Sequence, residues 1–159
     1  MKTNYLLPNK FKIYGWILLG IGIILGIYLK SKDFETNILV TNVISALHEN
    51  NFLYPEKGYS YFKVIENDII DEICALLIII GGILVGFSKE KIEDEYIYKL
   101  RKDSLVWAII TNYIILMLTI IFVYNFTFFD VLVFNMFTPL LFFIIRFNFL
   151  KLKSRSHEE

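Results

Sequence analysis

A single cysteine, two histidines and three prolines in 159 residues leave little material for the commonest kinds of site. Cys74 alone excludes an internal disulfide and a Cys-Xaa-Xaa-Cys redox pair, and its place inside an apolar run reads as packing. His48 and His157 fall on opposite sides of a membrane in the topology argued below, so they cannot share a metal, and no metal or cofactor is expected. Nothing recognisable as a phosphate-binding glycine loop or a nucleophile with its base is present, and no nucleic-acid partner is expected. Net charge is absent too, since 16 Lys and Arg balance 16 Asp and Glu.

What the chain has in quantity is apolar sequence, 56% of its residues, gathered in blocks rather than spread periodically. The blocks cover residues 13–29, 69–87, 105–124 and about 128–150. A helix needs roughly 20 residues to cross a ~30 Å hydrocarbon layer, so each block is long enough, the first only just. The expected fold is an all-α membrane protein of four transmembrane helices forming one domain, with an external loop at 30–68 and a cytoplasmic helical hinge at 88–104. The zero net charge hides an asymmetry. Lys2, Lys10, Lys12, the hinge residues Lys89, Lys91, Lys99, Arg101 and Lys102, and then Arg146, Lys151, Lys153 and Arg155 flank the blocks on one side. Only Lys30, Lys32, Lys57 and Lys63 fall on the other. Basic residues concentrate in cytoplasmic loops, which predicts a multi-pass protein of the inner (plasma) membrane with both termini and the hinge in the cytoplasm. Lys30-Ser31-Lys32-Asp33 after the first block replaces a small-residue cleavage site, so the block is expected to stay as an anchor.

Within the first block Gly22 and Gly26 are four apart, and Gly82 and Gly86 repeat that spacing in the second. Small residues so spaced let helix backbones approach closely in lipid. Packing of the two helices within one protomer and a homo-oligomer seam are both open readings. Outside the membrane, residues 36–49 put Asn37, Thr41, Ser45 and His48 on one helical face and Val40, Val43, Ile44 and Leu47 toward the other, predicting an amphipathic helix. Residues 59–65 form an extended candidate with too few partners for a sheet.

The hinge reads as helical. Lys89 with Glu93, Lys91 with Glu95 and Glu95 with Lys99 are four apart, Ile92, Tyr96 and Leu100 mark an apolar stripe, and no Pro or Gly interrupts residues 89–124. One long helix projecting into the cytoplasm is expected, with Trp107 at the inner interface. Lys91, Asp94, Glu95 and Lys99 are the candidate surface for a protein partner in the cytoplasm or membrane. The outward ends carry carboxylates, Asp71 and Glu72 opening the second span and Asp130 the fourth. Ionisable groups at a span point to catalytic or transport roles. Acids in a first helical turn also stabilise the helix dipole, and Thr127 with Asp130 has the spacing of a capping box. Thr111, Asn112, Thr119, Asn135 and Thr138 are expected to hydrogen bond between helices. Arg146 is expected to snorkel or pair with Asp103, and Pro139 to bend the fourth helix.

The segment FSKEKIEDEYIYKLRKDSLVWA, preceded by NDIIDEI and followed by Asn112-Tyr113 and by FIIRF at 143–147, resembles a group of small uncharacterised bacterial four-helix membrane proteins. The opening LLPNKFKIYGWIL is similar as well. The resemblance implies an integral membrane protein and no particular activity. The leading expectation is a non-enzymatic accessory or signalling component acting through its cytoplasmic helix, with lipid and a protein as partners. The alternative is a membrane enzyme or small transporter using the outward carboxylates.

Overall fold

The computed structural model describes residues 6–32, 38–49 and 59–155. Along the chain lie α1 (Lys10–Ser31), β1 (Val40–Glu49), β2 (Tyr59–Asp68), α2 (Ile70–Gly86), α3 (Glu95–Phe122), α4 (Phe126–Asn135) and α5 (Thr138–Arg155). The fold is therefore mostly helical. Two compact units can be distinguished, one made of Met1–Ile23 with Leu76–Glu159 and the other of Ile24–Ala75.

In the larger unit, α1 and α2 meet through glycine. A Cβ at Gly81 would lie 2.5 Å from the Leu19 nitrogen and 2.9 Å from its Cα, and one at Gly22 would lie 2.8 Å from Ile78 Cγ1. Such closeness is what small residues provide where burying apolar side chains offers little drive. Gly22 thus packs within the protomer. Gly82 and Gly86 look elsewhere, toward Leu140 and Phe143 of α5. Gly26 lies on α1 within the smaller unit. Helix α5 carries the aromatic core: Phe143 and Phe147 are fully buried, their rings 6.1 Å apart, and Phe87 stands 5.6 Å from Phe143. Against α5 runs α3, which buries Arg101, Ser104, Ala108 and Asn112, a stripe of one residue per turn.

Two helices, Lys10–Ser31 and Glu95–Phe122, are long and apolar enough to cross a membrane, and a third span results if the bent pair α4 and α5 counts as one. The bend expected at Pro139 is present, and it divides the block at 128–150 into two helices. It measures 48° and follows from Pro139, which has no N–H to offer the Asn135 carbonyl one turn back. The Phe137 N–H and the Thr138 hydroxyl turn instead to the Phe134 carbonyl, at 3.1 and 2.9 Å. Helix α2 has 17 residues, about 25 Å at 1.5 Å each, near the shortest length that spans. Hydrogen bonds from the Ile73 N–H to the Ile69 carbonyl and from the Phe87 N–H to the Ile83 carbonyl prolong its ladder at both ends.

The smaller unit corrects the amphipathic helix expected at 36–49 over 40–49, residues 36 and 37 lying outside the described residues. β1 and β2 form an antiparallel pair, Val43 facing Ile65 and Ile44 facing Val64. β-Branched Val40, Thr41, Val43 and Ile44 favour the pleated backbone, and the strand over 59–68 is the partner that lets a two-stranded sheet form. Asp68 closes the base of the hairpin. Its carboxylate accepts the N–H groups of Ile38, Leu39 and Ile70 at 3.0, 3.2 and 3.2 Å, the last at the opening of α2.

Candidate functional site

At one end of the larger unit, three distant segments converge on two glutamates. Before α1, Leu7 bridges to Ser88, its N–H donating to the Phe87 carbonyl and its carbonyl accepting from the Lys89 N–H, both at 2.9 Å. Asn9 donates to the Lys89 carbonyl at 2.6 Å. These bonds hold residues 87–89 beside the start of α1 and direct Glu90 inward. One Glu90 carboxylate oxygen accepts from Lys12 of α1 and from Lys151 of α5, the latter at 3.0 Å. Glu93 takes the guanidinium of Arg101 in a fork, at 2.5 and 3.1 Å, and Arg101 also donates to the Ser88 carbonyl at 3.3 Å.

Phe147 lies among these charges, its ring centroid 5.8 Å from Lys12 Nζ, 5.7 Å from Lys151 Nζ and 5.1 Å from Arg101 Cζ. Cation–π attraction adds to the ion pairs there. Burial alone would raise the Glu90 pKa, but hydrogen bonds from Lys12 and Lys151 and their charges outweigh it, so the carboxyl titrates below its ordinary range. Arg101 Nε and Ser104 Oγ are buried without a hydrogen-bond partner among the described residues. The cluster can hold the hinge rigidly against α1 and α5. It contains no nucleophile poised beside a base.

The hinge above this cluster is not the single helix expected over 89–124. α3 begins at Glu95 because Asp94 caps it, accepting the Ile97 N–H at 2.7 Å. Residues before the cap leave the helical spacing, so Lys89 with Glu93 and Lys91 with Glu95 are no longer lattice pairs, and Glu93 reaches Arg101 instead. Glu95 and Lys99 keep that spacing without forming an ion pair among the described residues. The stripe of Ile92, Tyr96 and Leu100 is not a buried seam: Ile92 is 75% and Tyr96 51% exposed. Lys91, Asp94, Glu95 and Lys99 are exposed as well. The candidate partner surface therefore stands open, with apolar residues among its charges.

The carboxylates expected to face outward belong to different helices. Asp71 and Glu72 occupy the first turn of α2 in the smaller unit, where Glu72 accepts from the Asn67 amide at 2.9 Å. Asp130 belongs to the larger unit and lies within α4, whose cap position is Asn125, so Thr127 and Asp130 do not form the capping box. Among the described residues, no three His, Cys, Asp or Glu side chains gather closely enough to hold a metal ion.

Two further polar contacts involve α3, α4 and α5. Asn112 and Asn135 exchange amide hydrogen bonds at 3.0 and 3.4 Å between α3 and α4, next to the helix break. Arg146 makes no pair with Asp103. Its guanidinium lies 4.5 Å over the Trp107 ring. Sequence reasoning misses Glu90 and Phe147 and gives Glu93 a different partner, Lys89 in place of Arg101; the density of charge beside an apolar run is the only signal for the cluster. The chain matches no protein family, no curated protein and no solved structure.

Proposed function

We propose that this chain is a four-span inner-membrane protein, with both termini and the hinge in the cytoplasm, acting as a non-enzymatic accessory or signalling component. Its working surface is the exposed patch around Lys91, Ile92, Asp94, Glu95, Tyr96 and Lys99, which docks a protein partner. The observation that carries this reading is the contrast between that patch and its base. The patch is solvent-facing, mixed in charge and partly apolar, whereas Glu90 and Glu93 directly beneath it are clamped by Lys12, Lys151 and Arg101. A preformed surface on a rigid base loses little conformational freedom when it binds. Four spans follow if α2 crosses at its near-minimal length and α4 with α5 crosses as one bent helix. The ion pairs of Glu90 with Lys12 and Lys151 support a shared side for the three basic segments.

Affinity purification from native membranes tests the reading, using Glu95→Lys with Tyr96→Ser. Asp94 is left intact because it caps α3. Surface ion pairs contribute only ~0–1 kcal/mol to stability, so abundance and membrane insertion should stay near wild type. Like charges brought together at an interface cost several kcal/mol, so a partner recovered with the wild type should be lost. Recovery of the same proteins with both chains would refute the patch as the docking surface. A small transporter is the second reading, favoured by the break between α4 and α5 beside the Asn112 and Asn135 amides, because interrupted helices often line transport pathways.

A further inference from the structure

A charged side chain within an apolar span demands an explanation, and for Arg146 the described residues of the protomer supply none. Its guanidinium rests on Trp107 at 4.5 Å, its Nε is buried without an acceptor, and no carboxylate meets it among the described residues. Stacking on an indole offsets part of the desolvation of a cation but leaves its N–H groups unpaired. One turn before Trp107 on α3 stands Asp103, exposed and also without an ion pair among the described residues. The surroundings on this flank are apolar: Ile110 is 54%, Ile145 66% and Phe149 64% exposed.

Depth matters here. The 28 residues of α3 measure about 42 Å, about 12 Å more than the hydrocarbon layer, so roughly its first 8 residues protrude. Asp103 and Trp107 then lie at the hydrocarbon edge, where water no longer screens a charge pair well and attraction is stronger than at a solvated surface.

We propose that a second copy of this chain docks on the α3–α5 flank, with Asp103 of each copy pairing with Arg146 of the other across a two-fold axis. A two-fold interface is self-complementary: if one residue meets a second, the second must meet the first. Asp103 stands one turn from Trp107, the residue on which Arg146 rests, so the two opposite charges share a flank and satisfy that condition. A lipid phosphate could neutralise Arg146, but it would leave Asp103 facing the same anionic headgroups. The second copy satisfies both charges. Gly22, Gly82 and Gly86 are already used in packing within the protomer and do not compete for this role.

The test uses differently tagged copies reconstituted in nanodiscs of phosphatidylethanolamine and phosphatidylglycerol. Asp103→Arg alone and Arg146→Asp alone each place like charges across the axis, so self-association should fall about tenfold or more relative to wild type. In a mixture of the two variants, a copy that is basic at both positions meets a copy that is acidic at both. Each contact across the axis then pairs opposite charges, and association between the two tags should return. Recovery on mixing also certifies that both variants are folded. As a second measurement that needs no charge change, Ile110→Cys in a Cys74→Ser background should cross-link between copies, and Ile109→Cys should not. Self-association of either single variant at the wild-type level overturns the proposal. So does an absence of Ile110→Cys cross-linking. Loss of bound phosphatidylglycerol on Arg146→Asp with no change in association would assign Arg146 to a lipid headgroup and likewise overturn it.

Discussion

Glu90 shows how a residue can matter most for contacts that its neighbours in sequence do not announce. It lies 78 residues from Lys12 and 61 from Lys151, yet its carboxylate joins both. In the sequence those lysines are legible only as markers of membrane orientation, because pairings over such separations leave no local period. Removing one member of a buried ion cluster leaves the others uncompensated, which typically costs ~3–5 kcal/mol. Glu90→Gln is therefore expected to lower the thermal midpoint in detergent markedly, while Lys91→Gln at the exposed surface changes it little. Acid should reveal the same residue. The folded pKa of Glu90 lies below its unfolded value, so its contribution is complete above the unfolded carboxylate range and disappears as pH falls through the folded pKa. The difference in midpoint between wild type and Glu90→Gln should be constant near neutrality and shrink below the ordinary carboxylate range. A difference that persists unchanged in acid would contradict the assignment.

At the scale of elements, helices long enough to show a block of apolar residues are legible in the sequence, and their interruptions are legible only where proline marks them. With no Pro or Gly nearby, Asp94 looks like part of a continuous helix, but its carboxylate on the Ile97 N–H starts α3 there and frees Glu93 for Arg101. Pro139 signals a bend, and the break between α4 and α5 falls just before it, after Asn135. Residues 40–44 fit a helical face and an alternating strand equally on polarity, and the partner strand decides between them. The glycines are legible as packing residues without their partners. Gly81, outside the four-residue pairs, makes the closest backbone approach, and a Cβ there meets Leu19 backbone, which cannot step aside. Gly81→Ala should destabilise α1 against α2 by about 1–3 kcal/mol, as overpacking does. Gly20 meets nothing within 4 Å of an added Cβ, so Gly20→Ala should be neutral or slightly stabilising. Equal thermal midpoints for the two variants would remove the glycine seam from the account.

For the whole molecule, apolar blocks and basic flanks make a membrane protein legible, and the candidate surface is legible as charge without its rigid base. The reading as a cytoplasmic docking protein depends on Lys91 and the hairpin lying on opposite sides of the membrane. Cysteine accessibility in intact cells measures this directly, with Cys74→Ser as background and Tyr61→Cys or Lys91→Cys as the probe position, both exposed. A membrane-impermeant thiol reagent should label Tyr61→Cys on intact cells and Lys91→Cys only after permeabilisation. Labelling of Lys91→Cys on intact cells, with Tyr61→Cys protected until permeabilisation, would contradict the orientation and with it the docking surface.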